Sequence, residues 1–145
     1  MIHFKYRGEA VGKGRPRVTR RGNHVHTYTP ERTRIFEDAM RFELLASTCE
    51  RTPIYPAGIP LKAIITIGMK VPKSYSKVKR EKCLKGEIIP TKKPDIDNVL
   101  KSIFDALCGF AMDDDSQIVE VVAEKLYTEE PYVEVTITRK DEAEE

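Results

Sequence analysis

The chain reads as one small α+β domain, a mixed or antiparallel sheet packed against two main helices. Apolar residues alternate along Leu61, Ala63, Ile65, Ile67, Met69 and Val71, which predicts a strand with one wholly apolar face. They recur at helical spacing through Ile96, Val99, Leu100, Ile103, Phe104 and Leu107, the cleanest helical pattern in the chain. The 145 residues hold no internal repeat and no linker long enough to separate a second domain. A domain of this size buries roughly 70% of its unfolded surface.

In chain order, Ile2, Phe4 and Tyr6 alternate with His3, Lys5 and Arg7, predicting a first strand. Gly12, Gly14 and Pro16 break regular structure, so residues 13–22 read as a mobile basic loop, closed by a short strand over His24–Tyr28. Thr29-Pro30-Glu31 starts a helix, with Thr29 as N-cap, Pro30 first in the helix and Glu31 on the dipole. Ile35, Phe36, Ala39, Met40 and Leu44 carry that helix to about Ser47. After the strand at 61–71, residues 72–93 are basic and bounded by prolines, with a short helix predicted near Lys77–Leu84. Gly109 ends the second main helix. Strands around Gln117–Tyr127 and Tyr132–Thr138 follow, joined by the tight turn Thr128-Glu129-Glu130-Pro131. The domain spans 1–140, and the acidic tail 141–145 is expected to be disordered.

Hydrophobic residues make up 40% of the chain and charged residues 33%, the composition of a soluble globular protein. Lys62, Thr66 and Lys70 interrupt the longest apolar stretch, so no membrane span is expected. The N-terminus lacks the apolar block of a signal peptide. Cys49, Cys83 and Cys108 form no C-x-x-C pair; neither a zinc site nor a disulfide framework is indicated, and a reducing cytoplasm is the expected location. The net charge of +2 conceals segregation. Residues 13–22 carry Lys13, Arg15, Arg17, Arg20 and Arg21 without an acid, and residues 70–85 carry Lys73, Lys77, Lys79 and Arg80 among their cations against Glu81 alone. One such run is ordinarily a solvated loop. Two of them beside an acidic centre are the footprint of a polyanion.

That acidic centre begins at Asp95-Ile96-Asp97-Asn98, where the second main helix starts, and resumes at Asp113-Asp114-Asp115 after it ends. One or two acids suit a helix N-terminus. Helix stability does not ask for more at the other end, and clustered carboxylates repel unless a proton or a metal ion lies between them. A hard divalent cation is the natural resident, and a phosphate under attack the natural substrate. Asp97, Lys101 and Asp105, each four residues apart, stack on one stripe away from the apolar face. Asp95 can aim its carboxylate beside Asp97, and Asp115 meets both if its strand runs beside the helix start. The bland alternative makes Asp95 a cap, Asp97–Lys101 a surface ion pair and Asp113–Asp115 a polar turn.

Phosphodiester hydrolysis needs these residue types for definite reasons. Magnesium prefers oxygen ligands, usually one or two carboxylates with water and substrate phosphate. Such ions ease the deprotonation of water and neutralise charge building on phosphorus. Lys101 adds a fixed positive charge for the phosphate or the transition state. Asn98 is placed to orient a carboxylate from behind. An EF-hand loop fails in either register, since Leu100 or Ile118 falls where glycine is required. Asp95-Ile96-Asp97-Asn98-Val99 also resembles the nucleophile motif of haloacid-dehalogenase-type phosphotransferases, but there an apolar strand precedes it, whereas Thr91-Lys92-Lys93-Pro94 is polar.

The fuller pattern is K-P-D-x-D-N-x-x-K over Lys93–Lys101, D-A-L-x-G over Asp105–Gly109, D-D-x-Q-[IV]-V over Asp114–Val119, then Lys125. It resembles the RusA family of Holliday junction resolvases. Gly14-Arg15-Pro16-Arg17 and Tyr28-Thr29-Pro30 extend the resemblance more loosely toward the N-terminus. The resemblance implies a magnesium-dependent, homodimeric endonuclease, with manganese as a substitute ion and no organic cofactor. Its substrate would be branched DNA, four-way junctions cut by paired symmetric nicks. Carried over by position, Asp95, Asp97 and Asp115 are the metal-binding catalytic acids and Lys101 the catalytic lysine. The triple aspartate permits a slipped register; Ser116-Gln117 favours Asp115 as ligand, with Asp114 its neighbour. The basic residues named above become DNA contacts, and Tyr75 or Phe110 the aromatic candidates for wedging between bases. Paired cuts on a pseudo-two-fold junction call for two sites related by a two-fold axis. The strand 61–71 or the first helix would supply the dimer contacts. Members of the family are frequent in bacteriophages and prophages, and the expected setting is a bacterial cytoplasm. A non-catalytic DNA-binding phage protein of the same fold is the alternative, which the intact set Asp95, Asp97, Lys101 and Asp115 speaks against.

Overall fold

The alternation read at residues 61–71 becomes the centre of a sheet. In the computed structural model, which describes residues 1–141, the chain forms β1 (Ile2–Tyr6), β2 (Arg17–Arg21), β3 (His24–Tyr28), α1 (Glu31–Ala46), β4 (Leu61–Lys70), α2 (Lys77–Leu84), α3 (Ile96–Leu107), β5 (Ile118–Thr128) and β6 (Tyr132–Arg139). Four strands make one sheet in the order β1-β6-β4-β5, and β2 pairs with β3 in a separate ribbon. β4 runs parallel to β5 and antiparallel to β6, so the sheet is mixed, within the α+β class the sequence predicts. Among the described residues no helix is long and apolar enough to cross a membrane.

Register gathers the apolar residues of three strands on one face. Phe4 lies opposite Val135, which lies opposite Ile65; Ile2 lies opposite Ile137, which lies opposite Ala63. Onto this face α1 packs Phe36, Met40 and Leu44, and α3 packs Val99, Ile103 and Leu107, all buried. Each such side chain taken from water contributes about 1.5–3 kcal/mol. The apolar face of β4 is therefore consumed inside the protein. α1 instead leaves Ile35, Phe42 and Leu45 exposed, at spacings that place them on one outer face of the helix. A second, smaller cluster of Val71, Cys83 and Tyr127 holds α2 against β5.

Three features differ from the sequence expectation. Residues 17–21, read as loop, form β2, which pairs with β3 across a turn at Gly22-Asn23. Every residue of both strands is exposed, so no alternation of apolar and polar residues marks them. Gly22 supplies the positive φ, 59°, that the tight turn requires. The N-cap of α1 is Pro30 rather than Thr29, because the ψ of Pro30, 142°, keeps it out of the helix. β5 and β6, consecutive and joined by a short turn, do not pair with each other, since β4 lies between them. In the acidic tail, Asp141 accepts two hydrogen bonds from Arg139, each 3.0 Å; residues 142–145 lie outside the described residues.

Candidate active site

α3 begins where the polar segment 91–95 ends. Asp95 occupies the N-cap position with extended backbone, yet its side chain makes no capping hydrogen bond. Its carboxylate is half exposed and faces Lys93 at 3.7 Å. The segment that carries it is gripped from the sheet: the Lys125 ammonium, on β5, donates to the carbonyls of Lys92 at 2.8 Å and Pro94 at 3.2 Å. Asp95 follows a turn rather than the end of an apolar strand, which distinguishes it from the phosphotransferase nucleophile motif.

Along α3, Asp97, Asn98 and Lys101 are exposed, and the Lys101 ammonium donates to Asp105 at 2.9 Å. That hydrogen bond, and to a lesser degree the charges of Asp105 and Asp115, raise the pKa of Lys101 above its ordinary value, so it stays cationic. Lys101 thus relates the aspartate stripe of α3 to Asp115, on the short 3₁₀ turn Asp115–Gln117 that leads into β5.

The three consecutive aspartates divide their work. Asp114 caps the 3₁₀ turn: its carboxylate accepts from the Ser116 amide at 3.1 Å, while its own amide donates to Gln117 Oε1 at 3.0 Å. Hydrogen bonding from Ser116 holds the Asp114 carboxyl below its usual range. Gln117 is buried and donates to the carbonyls of Pro56 and Ile59, so it fastens the 3₁₀ turn to the loop before β4. Asp115, half-buried, is not spent on that cap. Ligand atoms of Cys108, Asp114 and Asp115 lie within 4.8 Å of one another, the group of that kind found among the described residues. Burial, joined by the nearby charges of Asp115, Asp114 and Asp105, pushes the Cys108 thiol up. Asp95 and Asp97 stand outside that group, at the opposite end of α3.

The N-terminal loop is tied down beside the first turns of α3. Buried Ser102 donates to the Val11 carbonyl at 2.6 Å, and the Lys13 amide donates to the Asn98 carbonyl at 2.9 Å. Gly14 passes so close to α1 that a Cβ there would lie 2.8 Å from Pro30 Cγ and 2.9 Å from Thr33 Oγ1. Lys13 itself turns inward, its ammonium 2.5 Å from Glu37 and 3.2 Å from Asp105. Burial works to lower its pKa, but hydrogen bonds to Glu37 and Asp105 raise it on balance. Arg15, Arg17, Arg20 and Arg21 remain exposed on the loop and the ribbon.

The other basic run follows β4 and continues along α2. Lys73, Lys77 and Lys79 are exposed and Arg80 is half-buried. Lys79 sits 3.8 Å above the Tyr75 ring, which also has Lys92 at 5.7 Å. Through Tyr75 the α2 run therefore adjoins the segment that leads to Asp95. Tyr75 and Phe110, the aromatic wedge candidates, both have partners within the chain: Tyr75 packs edge-on against Tyr127, and Arg41 lies 5.7 Å from the Phe110 ring.

Sequence reasoning did not single out Glu37, Ser102, Gln117 or the gripping role of Lys125. Gln117 and Lys125 were visible as letters of the motif; nothing local marks Glu37 or Ser102.

The fold is a mixed sheet with two helices on one face, and the second of these carries Asp97, Lys101 and Asp105 along one stripe. The chain belongs to the endodeoxyribonuclease RusA family, whose model matches residues 7–138. It is also 38% identical over 138 residues to the uncharacterized protein YqaN of Bacillus subtilis (strain 168), a match covering 94% of each chain.

Proposed function

We propose that this protein is a magnesium-dependent endonuclease that resolves four-way DNA junctions by paired, symmetric nicks, acting as a homodimer in a bacterial cytoplasm. The observation that carries the reading is Asp95: a helix N-cap residue whose carboxylate is left free of the capping bond, beside Asp97 and on a segment gripped by Lys125. A residue kept only for helix stability would accept from the α3 amides.

The chemistry of the three acids fits a hard cation, which would have to draw Asp95 and Asp97 toward Asp115, since the structure groups Asp115 with Asp114 and Cys108 instead. Asp95, Asp97 and Asp115 offer carboxylate oxygens, and no histidine adjoins them in the motif. Bound there, magnesium or manganese would activate water and neutralise charge on the attacked phosphate. Asp114 is committed to its turn, which favours Asp115 as the third acid. Lys101, held cationic by Asp105, supplies positive charge where the phosphate oxygens gather charge during cleavage. Asn98, exposed beside Asp97 and joined to the loop through its backbone carbonyl, is the residue we assign to orienting the acids.

The cations on either side serve binding. Arg15, Arg17, Arg20 and Arg21 on one flank, with Lys73, Lys77, Lys79 and Arg80 on the other, neutralise phosphates of the junction arms. The exposed row Ile35, Phe42 and Leu45 supports α1 as the dimer surface, since the apolar face of β4 is already covered.

The test is incubation with an immobile four-way junction and with matched linear duplex, each with magnesium or with chelator. Symmetric magnesium-dependent nicks confined to the junction support the reading. Binding without metal-dependent nicking would instead identify a non-catalytic DNA-binding protein of the same fold.

A further inference from the structure

Three adjoining clefts, of about 200, 300 and 480 Å³, run past the start of α3. The first lies between the end of β4 and Lys93-Pro94, the second between Gly12-Lys13 and Asp95 with Asn98, and the third between Arg15–Arg17 and Pro30. One side chain, Arg32, lines all three. It is exposed on the first turn of α1. Nothing in the motif includes it.

The clefts share lining residues and form one groove, whose middle cleft is lined by Asp95 at the start of α3. Lys70 and Lys93 line one end and Arg15 and Arg17 the other, while Glu9 and Asp95 are its acids. Lys93 is drawn toward Asp95 and Lys13 toward Glu37 and Asp105. Arg32 makes no ion pair or side-chain hydrogen bond among the described residues, and it lines the same cleft as Asp95 rather than lying out on the ribbon. A guanidinium so placed presents a planar fork that matches two phosphate oxygens, which an ammonium cannot do.

We infer that this groove is the track of one DNA strand and that Arg32 is its phosphate-positioning residue. It holds the phosphate adjoining the one presented to Asp95 and Asp97, and so sets the register in which the strand meets the acids. The inference deepens the nuclease reading and rests on it for the cut, but not for the binding.

The test uses the whole protein with Arg32→Ala, Arg32→Lys and, as a control of equal charge, Arg34→Ala, which lies on the same helix outside the three clefts. Binding to an immobile four-way junction is measured in chelator over a range of salt, and single-turnover nicking in magnesium. Loss of one phosphate contact should flatten the slope of log affinity against log salt by about 0.9. Arg32→Ala should show that change and nick at least tenfold more slowly, and Arg34→Ala should show neither. Arg32→Lys should restore the slope while nicking remains slow, because charge returns but the fork does not. A slope for Arg32→Ala equal to that of Arg34→Ala overturns the inference even if the wild type nicks well. Should the wild type fail to nick while Arg32→Ala alone flattens the slope, the groove assignment stands and the nuclease reading falls.

Discussion

The Lys125 ammonium reaches from the edge strand β5 to the Lys92 carbonyl, 2.8 Å away, and anchors the polar segment that delivers Asp95. A lysine otherwise expected to face solvent is spent on two backbone carbonyls, and the orientation of an acid depends on it.

Lys125→Met should therefore leave the fold intact while loosening the Asp95 segment. Loss of such a supporting contact costs roughly 10–100-fold in metal affinity or activity. Single-turnover nicking should fall by about that factor at limiting magnesium, with junction affinity in chelator unchanged. A wild-type rate would assign Lys125 to structure alone.

Asp97→Asn should abolish nicking and retain, or tighten, junction binding. The substitution removes a ligand and also one negative charge facing the phosphates. The comparison is gel-shift affinity in chelator against nicking in magnesium; cutting at the wild-type rate would show that the metal site lies elsewhere.

Replacing Arg15 and Arg17 together by glutamine should weaken junction binding and flatten its salt dependence by up to about 1.8, twice the slope expected per phosphate contact. Both residues are exposed, so thermal stability should not move. An unchanged slope would remove this loop from the DNA interface.

Gly14→Ala should destabilise the protein by about 1–3 kcal/mol, the usual cost of inserting a carbon where packing is tight. The new Cβ would press on Pro30 and Thr33, neither of which ends in a flexible chain. Thermal unfolding reads this directly, and a wild-type midpoint would mean that the loop moves aside freely.

Alkaline titration should report on the small cluster under α2. Burial, and then its hydrogen bond and charge interaction with Tyr75, push the Tyr127 hydroxyl up to about 12. Its folded-state value lies above the ordinary 10.0, so its contribution to stability is complete below pH 10.0 and is lost as pH rises toward about 12. Burial also raises Tyr132, so tyrosinate absorbance should show more than one late group, and Tyr127→Phe should remove the latest of them and hold stability further into alkali. Late absorbance of unchanged size in Tyr127→Phe would refute the assignment.

Legibility in the sequence followed the physics of burial. α3 was readable because its buried side chains Val99, Ile103 and Leu107 recur on one face opposite exposed Asp97 and Lys101. β4 was readable because Leu61, Ala63, Ile65 and Ile67 all turn to the core. β2 was not, since neither face of the β2–β3 ribbon is buried, whereas β3 was read over its observed span His24–Tyr28. The placement of β4 between β5 and β6 was equally hidden, because chain order does not encode which strands pair. At the site, the acids and Lys101 stood out through motif spacing. That Lys13 would turn inward could not be seen, as its partner Glu37 lies 24 residues away on another element. Asp114 and Asp115 look alike as letters, and only the 3₁₀ turn separates the one that caps from the one left open.

The pairing of β1 with β6 also governs how the molecule is made. His3 and Glu134 meet across that pair although 131 positions separate them, and β1 has no other strand neighbour. In a chain under synthesis β1 has no strand partner until β6 has been made. Because the chain following β1 is the loop that Ser102 and Asn98 fasten against α3, a nascent chain halted before β6 would carry every acid of the centre without a settled wall opposite them. The far edge of the sheet and the wall beside the acids therefore settle only when the last strand arrives, so order at the candidate site is tied to completion of the sheet.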